Sequence, residues 1–100
     1  TDGSNTFRKI STGRCMDSNW LPILDVARCQ AAASALGLGD TVPQMTSISD
    51  RPEGCYFFKN TEDLTSTLWM NSSPMSRGNG AELTDVSPKG YREPLCANPS

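Results

Sequence analysis

Four cysteines, spread along the chain, constrain its fold more than any other feature. They are Cys15, Cys29, Cys55 and Cys96 in a chain of 100 residues. An even number of cysteines in a small chain rich in Ser, Thr, Gly and Pro favours disulfides and an oxidising compartment. Zinc is the competing interpretation, but zinc sites usually contain close cysteine pairs and often histidine. Here Cys15 and Cys29, the nearest pair, are fourteen positions apart and histidine is absent, so we expect disulfides and no metal.

The pairing of these cysteines matters because the rest of the core is modest. One hundred residues form one domain, and the hydrophobic fraction of 36% is low for it. Four cysteines allow three pairings. We expect Cys29–Cys55, which would join a helix to an aromatic strand, and Cys15–Cys96, which would join the two ends of the module. By loop entropy these contribute about 3.5 and about 4.5 kcal/mol, which is large against a total stability of about 5–10 kcal/mol.

The segment 25–37 predicts one amphipathic helix. Asp25 can cap it by accepting a hydrogen bond from a backbone N–H of the first turn. Gly37 can take the left-handed conformation that ends a helix, with Leu38 folding back onto the last turn. One face carries apolar residues three or four positions apart, and the alanines keep that face flat enough for a sheet to approach closely: Val26, Cys29, Ala32, Ala33 and Leu36.

Short strands are predicted around this helix. Cys55 and Phe57 share one face of their strand, and Leu68 and Met70 share one face of theirs. Pro94 lacks a backbone N–H, so we place its strand at a sheet edge. The loop 71–81, rich in Ser, Gly, Asn and Pro, should be mobile. One helix across a small antiparallel sheet is an α+β fold, and its strands are predicted at 6–11, 44–49, 55–58, 66–71 and 91–96.

Charge and motif content argue against several function classes. The net charge is −2 and the nine basic residues are scattered, which does not suit nucleic acid. No apolar run approaches the roughly twenty residues that a membrane span needs. No signal peptide begins the chain, so we expect a mature or excised segment, or one module of a longer chain. Without histidine, paired carboxylates, a nucleophile motif or a phosphate loop, we expect no catalysis and no cofactor.

Five short segments carry a resemblance to a known family. They are Gly13-Arg14-Cys15, the helix segment from Cys29-Gln30-Ala31-Ala32 to Leu36-Gly37-Leu38, Arg51-Pro52-Glu53-Gly54-Cys55-Tyr56, Leu68-Trp69-Met70-Asn71, and Leu95-Cys96. Residues 13–97 thereby resemble the PAN/apple superfamily in its short, four-cysteine form, with 1–12 as an N-terminal extension and 98–100 as a tail. Fuller members carry a second helix cysteine, where this chain has alanines. The resemblance implies an antiparallel sheet cradling one helix, the same two disulfides, and binding of proteins or carbohydrates without catalysis.

Candidate contact residues are the larger aromatic and basic side chains, because tryptophan in particular is enriched at binding hot spots. They are Trp69, Trp20, Tyr56, Arg51 and Arg77. Each has a structural alternative. The aromatic residues can be packing residues, Arg51 can form an ion pair within its turn, and Arg77 can belong to a solvated connector. If their strands are neighbours, Tyr56 and the nearby Phe58 could extend a surface with Trp69.

A glycosylation sequon adds one candidate modification site. Asn71-Ser72-Ser73 fits the acceptor pattern. Pro74 directly after it lowers the chance of use, which also requires transit through the secretory route.

Two functional hypotheses follow. The first is an extracellular recognition module for a protein or a glycan, which expects aromatic residues exposed on one face. The second is a small soluble subunit or domain docked on a larger assembly, for example a photosynthetic membrane complex, in an oxidising space such as the thylakoid lumen. That hypothesis expects an extended contact through termini and loops and no small-ligand pocket. An enzyme would need a cleft with convergent carboxylates.

Overall fold

One α-helix lies across a mixed β-sheet. The computed structural model describes residues 7–38, 40–62, 64–84 and 89–98. The helix is α1 (Val26–Ala35), and two short 3-10 turns cover Cys15–Ser18 and Pro74–Ser76. Within the described ranges the sheet has seven strands: β1 (Phe7–Lys9), β2 (Leu21–Pro22), β3 (Gln44–Thr46), β4 (Gly54–Asn60), β5 (Ser66–Asn71), β6 (Glu82–Thr84) and β7 (Gly90–Ala97).

The strands are arranged around β7. The main order is β1-β7-β4-β5-β3, and β2 and β6 also pair with β7. The predicted strand 66–71 is confirmed with its bounds, whereas 55–58 and 91–96 are longer in the structure and 44–49 is shorter. The predicted strand 6–11 corresponds to β1, which ends at Lys9 and is therefore shorter, and position 6 lies outside the described residues. Neither β2 nor β6 was among the predicted strands.

The prediction of a purely antiparallel sheet is wrong. All pairs are antiparallel except β3 and β5, which run parallel with Met45 opposite Met70. The chain reverses direction between β3 and β4 and again between β4 and β5. Because β3 lies beside β5 rather than beside β4, two reversals leave the neighbouring strands parallel.

The placement of Pro94 at a sheet edge is also wrong. Pro94 lies in β7 opposite Tyr56 of β4, with β1 on the other side of β7. Its carbonyl accepts a hydrogen bond from the N–H of Ile10, 3.0 Å away. The N and C=O of one strand residue point to the same side, so the missing N–H of Pro94 also faces β1. That strand ends at Lys9, and proline therefore removes no bond to β4.

The helix begins and ends as its sequence predicts. The Asp25 carboxylate accepts the N–H of Arg28 at 3.2 Å. Gly37 has φ of 71°. The N–H of Leu38 reaches the carbonyl of Ala33 at 3.0 Å, which is the bond that closes a Schellman motif.

The core lies between the helix and the inner face of the sheet. The centre of the helix stripe is buried, whereas Val26 is exposed and Leu36 only half-buried. The predicted alternation of β4 and β5 is confirmed, because Cys55, Phe57, Leu68 and Met70 all belong to this core. Its buried members are Ile23, Cys29, Ala32, Ala33, Cys55, Phe57, Leu68, Met70, Leu95 and Ala97.

Two disulfides join the elements in the expected pairing. Cys29–Cys55 connects the helix to β4 with Cα atoms 5.6 Å apart. Cys15–Cys96 connects the first 3-10 turn to β7 with Cα atoms 5.5 Å apart. Both distances are typical of disulfides, and both bonds are compatible with an oxidising compartment. Within the described ranges, no helix has the length and apolar character to cross a membrane.

Candidate functional site

A cleft opens on the helix side of the sheet, where the N-terminal end of the helix meets the edge strand β3. Its volume is about 280 Å³. The walls come from the helix entry, β3, the end of β5, the turn before β4 and the segment after β5. The lining residues include Leu24, Val26, Met45, Glu53, Met70, Asn71 and Arg77.

Exposed apolar side chains surround this cleft. Leu24 is 64% exposed and Met45 is 59% exposed, and Val26 is also exposed. Met70 is buried beneath them and belongs to the core. Met75 is exposed on the neighbouring 3-10 turn. Clustered apolar exposure of this kind marks interaction sites more often than single exposed residues do.

Close backbone packing at Gly54 positions one wall. Gly54 has φ of 73°, and a Cβ there would lie 2.2 Å from the carbonyl oxygen of Ile23 and 3.0 Å from Leu24 Cδ2. Only glycine fits both the conformation and the contact. The next residue, Cys55, donates its N–H to the Ile23 carbonyl at 2.8 Å. The start of β4 therefore fixes Ile23 in the core and leaves Leu24 at the cleft.

Asn71 joins the base of the cleft to the turn before β4. It is 3% exposed. Its Oδ1 accepts the N–H groups of Ile48 and Ser73 at 3.0 and 3.2 Å. Its Nδ2 donates to the carbonyls of Ile48 and Pro52 at 2.8 and 3.0 Å. All the hydrogen-bonding capacity of this amide nitrogen is therefore used inside the protein.

This geometry argues against a glycan on Asn71 in the folded chain. The atom that would carry the sugar is Nδ2, which donates both of its hydrogens to backbone carbonyls. A glycan would replace one hydrogen and would need space at a buried position. A glycan on Asn71 would therefore disrupt hydrogen bonds that the folded chain makes through this side chain.

The segment after Asn71 is held in place on one side by Asn79. Asn79 Nδ2 donates to the carbonyls of Ser49 and Arg51 at 2.7 and 2.9 Å. The N–H of Gly78 donates to Glu53 Oε1 at 3.2 Å. These bonds attach the segment to the turn that precedes β4.

Further contacts fix the two ends of the same segment. Ser76 is buried, and its hydroxyl donates to the Ser73 carbonyl at 2.7 Å. Ala81 donates its N–H to the Gly13 carbonyl at 2.7 Å. A Cβ on Gly80 would lie 2.2 Å from that same carbonyl oxygen. These bonds argue against the expected mobile loop over 71–81, because they tie the segment to the turn before β4 and to Gly13.

The rim of the cleft carries one residue of each charge. Glu53 lines it and holds the Gly78 N–H. Arg77 lines it, is exposed, and makes no ion pair with any acidic residue of the described chain. Of the predicted contact residues, Arg77 is the one that lies at this cleft.

Tyr56 and Trp69 lie opposite each other on the outer face of the sheet. Tyr56 is buried, and burial raises the pKa of its phenol, while the neighbouring cations of Arg51 and Arg92 act to lower it. Arg51 also lies 3.9 Å from the Asp50 carboxylate. These contacts match the structural alternatives for Tyr56 and Arg51, and Trp69 is half-buried beside them.

The rest of that outer face is covered by the protein's own side chains. The Arg92 guanidinium lies 5.2 Å from the centre of the Phe58 ring and 2.6 Å from the Glu82 carboxylate. The strands of Phe58 and Trp69 are neighbours, as the proposed aromatic surface required. Phe58 is nevertheless half-buried under an internal ion pair rather than open to a partner.

Trp20 lies in a different part of the molecule. It precedes β2, which pairs with β7, whereas Trp69 lies in β5 beyond β4. Its ring is covered by the guanidinium of Arg8, whose carbon is 4.5 Å from the ring centre. The two tryptophans therefore do not form a common surface.

The cleft residues Leu24, Val26 and Met45 were not predicted from the sequence. Val26 was assigned to the apolar face of the helix, and Met45 lay within the predicted strand 44–49. The one available signal was Leu24, an apolar residue directly before the helix cap and outside the helix stripe.

Comparison with known proteins does not identify a relative of this chain. No family model, curated protein or solved structure matches this chain. The described residues contain no group of three or more His, Cys, Asp and Glu that could hold a metal ion. What the site offers chemically is apolar contact and a few polar groups on a fixed frame.

Proposed function

We propose that this chain is a non-catalytic binding module that recognises a protein through the cleft. The observation that carries the proposal is the cluster of exposed Leu24, Val26 and Met45 around one cavity. Burying such side chains contributes about 1.5–3 kcal/mol each. The hydrogen bonds of Asn71 and Asn79 hold the walls in place before binding, which lowers the entropy lost on association.

A protein partner fits this cleft better than a glycan does. The described lining combines aliphatic and thioether side chains with polar ones and contains no aromatic ring on which a sugar could stack. Exposed apolar side chains around a cavity suit a protein side chain as the occupant. Met45 adds a flexible, polarisable contact that adapts to different partners. The aromatic residues that suggested a glycan platform lie elsewhere and are mostly covered.

We also propose that the scaffold is an apple-like domain that resides in an oxidising compartment. It is supported by one helix on a sheet and by the disulfides Cys29–Cys55 and Cys15–Cys96, which the resemblance implies. Both an extracellular module and an accessory subunit of a larger lumenal assembly, including one in the thylakoid lumen, are consistent with this scaffold. The segment after β5, which forms one wall of the cleft, suits the loop contacts that the accessory-subunit hypothesis expects. The cavity of about 280 Å³ departs from the other expectation of that hypothesis, the lack of a small-ligand pocket.

The test is complex formation in the native organism. Tagged protein is expressed at its natural level and sized in mild detergent-free buffer. We expect wild type in a complex well above the mass of the tagged polypeptide by itself, and we expect Leu24→Asp and Met45→Asp to release it. Val42→Asp and Leu64→Asp, at positions 65% and 86% exposed and outside the cleft, are matched controls.

Two results would overturn the proposal. One is wild type running as a single chain in every extract. The other is equal dissociation by cleft and control variants. Specific binding of wild type on a glycan array, lost in Trp69→Ala but kept in Leu24→Asp, would support the glycan alternative instead.

A further inference from the structure

The open edge of β3 has backbone groups that the sheet does not use. β3 is the last strand in the order, with β5 as its partner among the described residues. Ser72 donates its N–H to the Thr46 carbonyl at 2.8 Å, so Thr46 directs its backbone groups towards β5. Backbone groups of successive strand residues point to opposite sides. The N–H and C=O of Met45 therefore face away from β5.

The side chain of Met45 lies at the cleft, next to the unused N–H and C=O of the same residue. Met45 is directly opposite Met70, which is part of the core, so both side chains are on the helix side of the sheet. Met45 also lines the cleft beside Val26 and Leu24. The unused N–H and C=O therefore lie at the mouth of the apolar cavity.

We propose that the partner segment is an extended polypeptide strand, which pairs with Met45 and places one apolar side chain in the cleft. This inference rests on the proposed function. A strand at about 4.8 Å from β3 would bring a donor and an acceptor to the Met45 backbone. The side chain of its residue opposite Met45 would fall on the cleft side, and its two neighbours would point away.

A polypeptide is the occupant whose chemistry matches this edge. Its main chain supplies a donor and an acceptor at the strand repeat, whereas a lipid chain supplies neither. Pairing of this kind gives affinity through the backbone and specificity through alternate side chains. Open edges are a liability unless they are short or used, and β3 is only three residues long. A short edge beside a cavity limits pairing to a segment that also fills the cavity.

The experiment uses a phage-displayed library of random nine-residue peptides, selected on the oxidised wild-type chain. Met45→Ala removes the side chain and keeps the N–H. Met45→Pro removes the methionine side chain and also the backbone N–H. Proline is tolerated at an edge position whose N–H faces outwards. One lost hydrogen bond predicts about tenfold weaker peptide binding for Met45→Pro than for Met45→Ala. Equal affinities of these two folded variants would overturn strand pairing.

A second measurement does not depend on the folding of Met45→Pro. Each backbone N–H of the selected peptide is methylated in turn. Because Met45 offers one outward carbonyl, we expect binding to fall at one position, the residue whose N–H meets that carbonyl, and to persist when either neighbouring N–H is methylated. Loss at every third or fourth position, or at none, would indicate a helix or side-chain docking and would overturn the inference.

The remaining outcomes separate this inference from the proposed function. Failure to select any peptide would overturn strand pairing. If Met45→Asp nevertheless releases the native complex, the proposal that a protein binds at the cleft still stands. A concentration-dependent dimer of wild type that Met45→Pro abolishes would assign the edge to a second copy, and this would also overturn a foreign segment as the occupant.

Discussion

Replacement of Asn71 by aspartate tests how the cleft is built. The substitution is almost isosteric, and Oδ1 can still accept the N–H groups of Ile48 and Ser73. The second oxygen, however, takes the place of Nδ2, which lies 2.8 and 3.0 Å from the carbonyl oxygens of Ile48 and Pro52. Two hydrogen bonds become two repulsive contacts at a position that is 3% exposed.

The expected loss can be estimated from these contacts. Two hydrogen bonds contribute about 1 kcal/mol each, and the buried Pro52 carbonyl, left unpaired, adds about 1–3 kcal/mol. We therefore expect Asn71→Asp to lower the free energy of unfolding by roughly 3–5 kcal/mol at pH 7. A protonated carboxyl can donate one hydrogen bond again, so the loss should shrink to roughly 1–2 kcal/mol at pH 3.

The sign of this pH dependence follows from linkage. Burial and the facing carbonyls should raise the pKa of the introduced carboxyl in the folded state above its unfolded value of about 3.9. Its contribution to stability is then fully present below the unfolded pKa and lost as pH rises through the folded pKa. Asp17, whose pKa is lowered chiefly by its hydrogen bond from the Arg14 backbone, acts in the opposite direction. The variant is therefore compared with wild type at each pH, so that this shared effect cancels.

The assay is urea unfolding followed by tryptophan fluorescence at pH 3, 5 and 7, with both disulfides intact. Asn19→Asp is the matched control, because Asn19 is exposed at φ of 61°, a conformation that asparagine and aspartate both tolerate. We expect it to change stability by less than about 0.5 kcal/mol. A loss for Asn71→Asp below 1 kcal/mol at pH 7, or one that is the same at all three pH values, would refute the hydrogen-bond argument.

Three further predictions follow from other parts of the structure. In Tyr91→Phe the remaining tyrosine is Tyr56, and absorbance at 295 nm should show it titrating above the ordinary value of about 10 because it is buried; stability should accordingly fall as pH rises from about 10 through the folded pKa, and an ordinary titration would contradict its burial. Gly80→Ala should lower the free energy of unfolding by about 1–3 kcal/mol, because the new Cβ would lie 2.2 Å from the Gly13 carbonyl oxygen; an unchanged urea midpoint would mean that this contact relaxes freely. Folded protein secreted from a eukaryotic host should have the intact mass of the unmodified chain, because Asn71 is buried and its Nδ2 is fully hydrogen-bonded; added N-glycan mass at Asn71 in protein with native stability would contradict this.

The parts of the fold that the sequence predicts are those that depend on local interactions. Asp25 and Gly37 define the ends of the helix through bonds to residues three to five positions away, so their identities are enough. The alternation in β5 shows which side chains face the core, because one face is buried and the other is not. These signals do not depend on knowing which strands pair.

The errors concern long-range pairing. Pro94 suggested an edge strand, but the direction of its missing N–H depends on where β1 ends beside β7. The parallel pairing of β3 with β5 depends on which strand β3 lies next to after two reversals. Neither fact is encoded within the segment concerned.

For the candidate site too, the sequence indicates local features but not the contacts between distant segments. Trp20, Tyr56 and Trp69 were selected by residue type, but what covers each ring comes from distant segments. Leu24 and Met45 are ordinary apolar residues whose exposure depends on how far the helix extends over the sheet. Cleft formation therefore could not be inferred from composition or spacing.

We infer that crosslinks, rather than packing alone, hold the helix on the sheet. Apart from Cys29, the fully buried side chains of the helix are Ala32 and Ala33, whose methyl groups contribute about 0.8 kcal/mol each. The Cys29–Cys55 loop contributes about 3.5 kcal/mol by chain entropy. The most direct test is the free energy of unfolding of the double variant Cys29→Ala/Cys55→Ala, measured in urea with Cys15–Cys96 intact. We expect a loss of about 3.5 kcal/mol or more; a variant within 1 kcal/mol of wild type would show that packing alone keeps the helix in place and would contradict the claim.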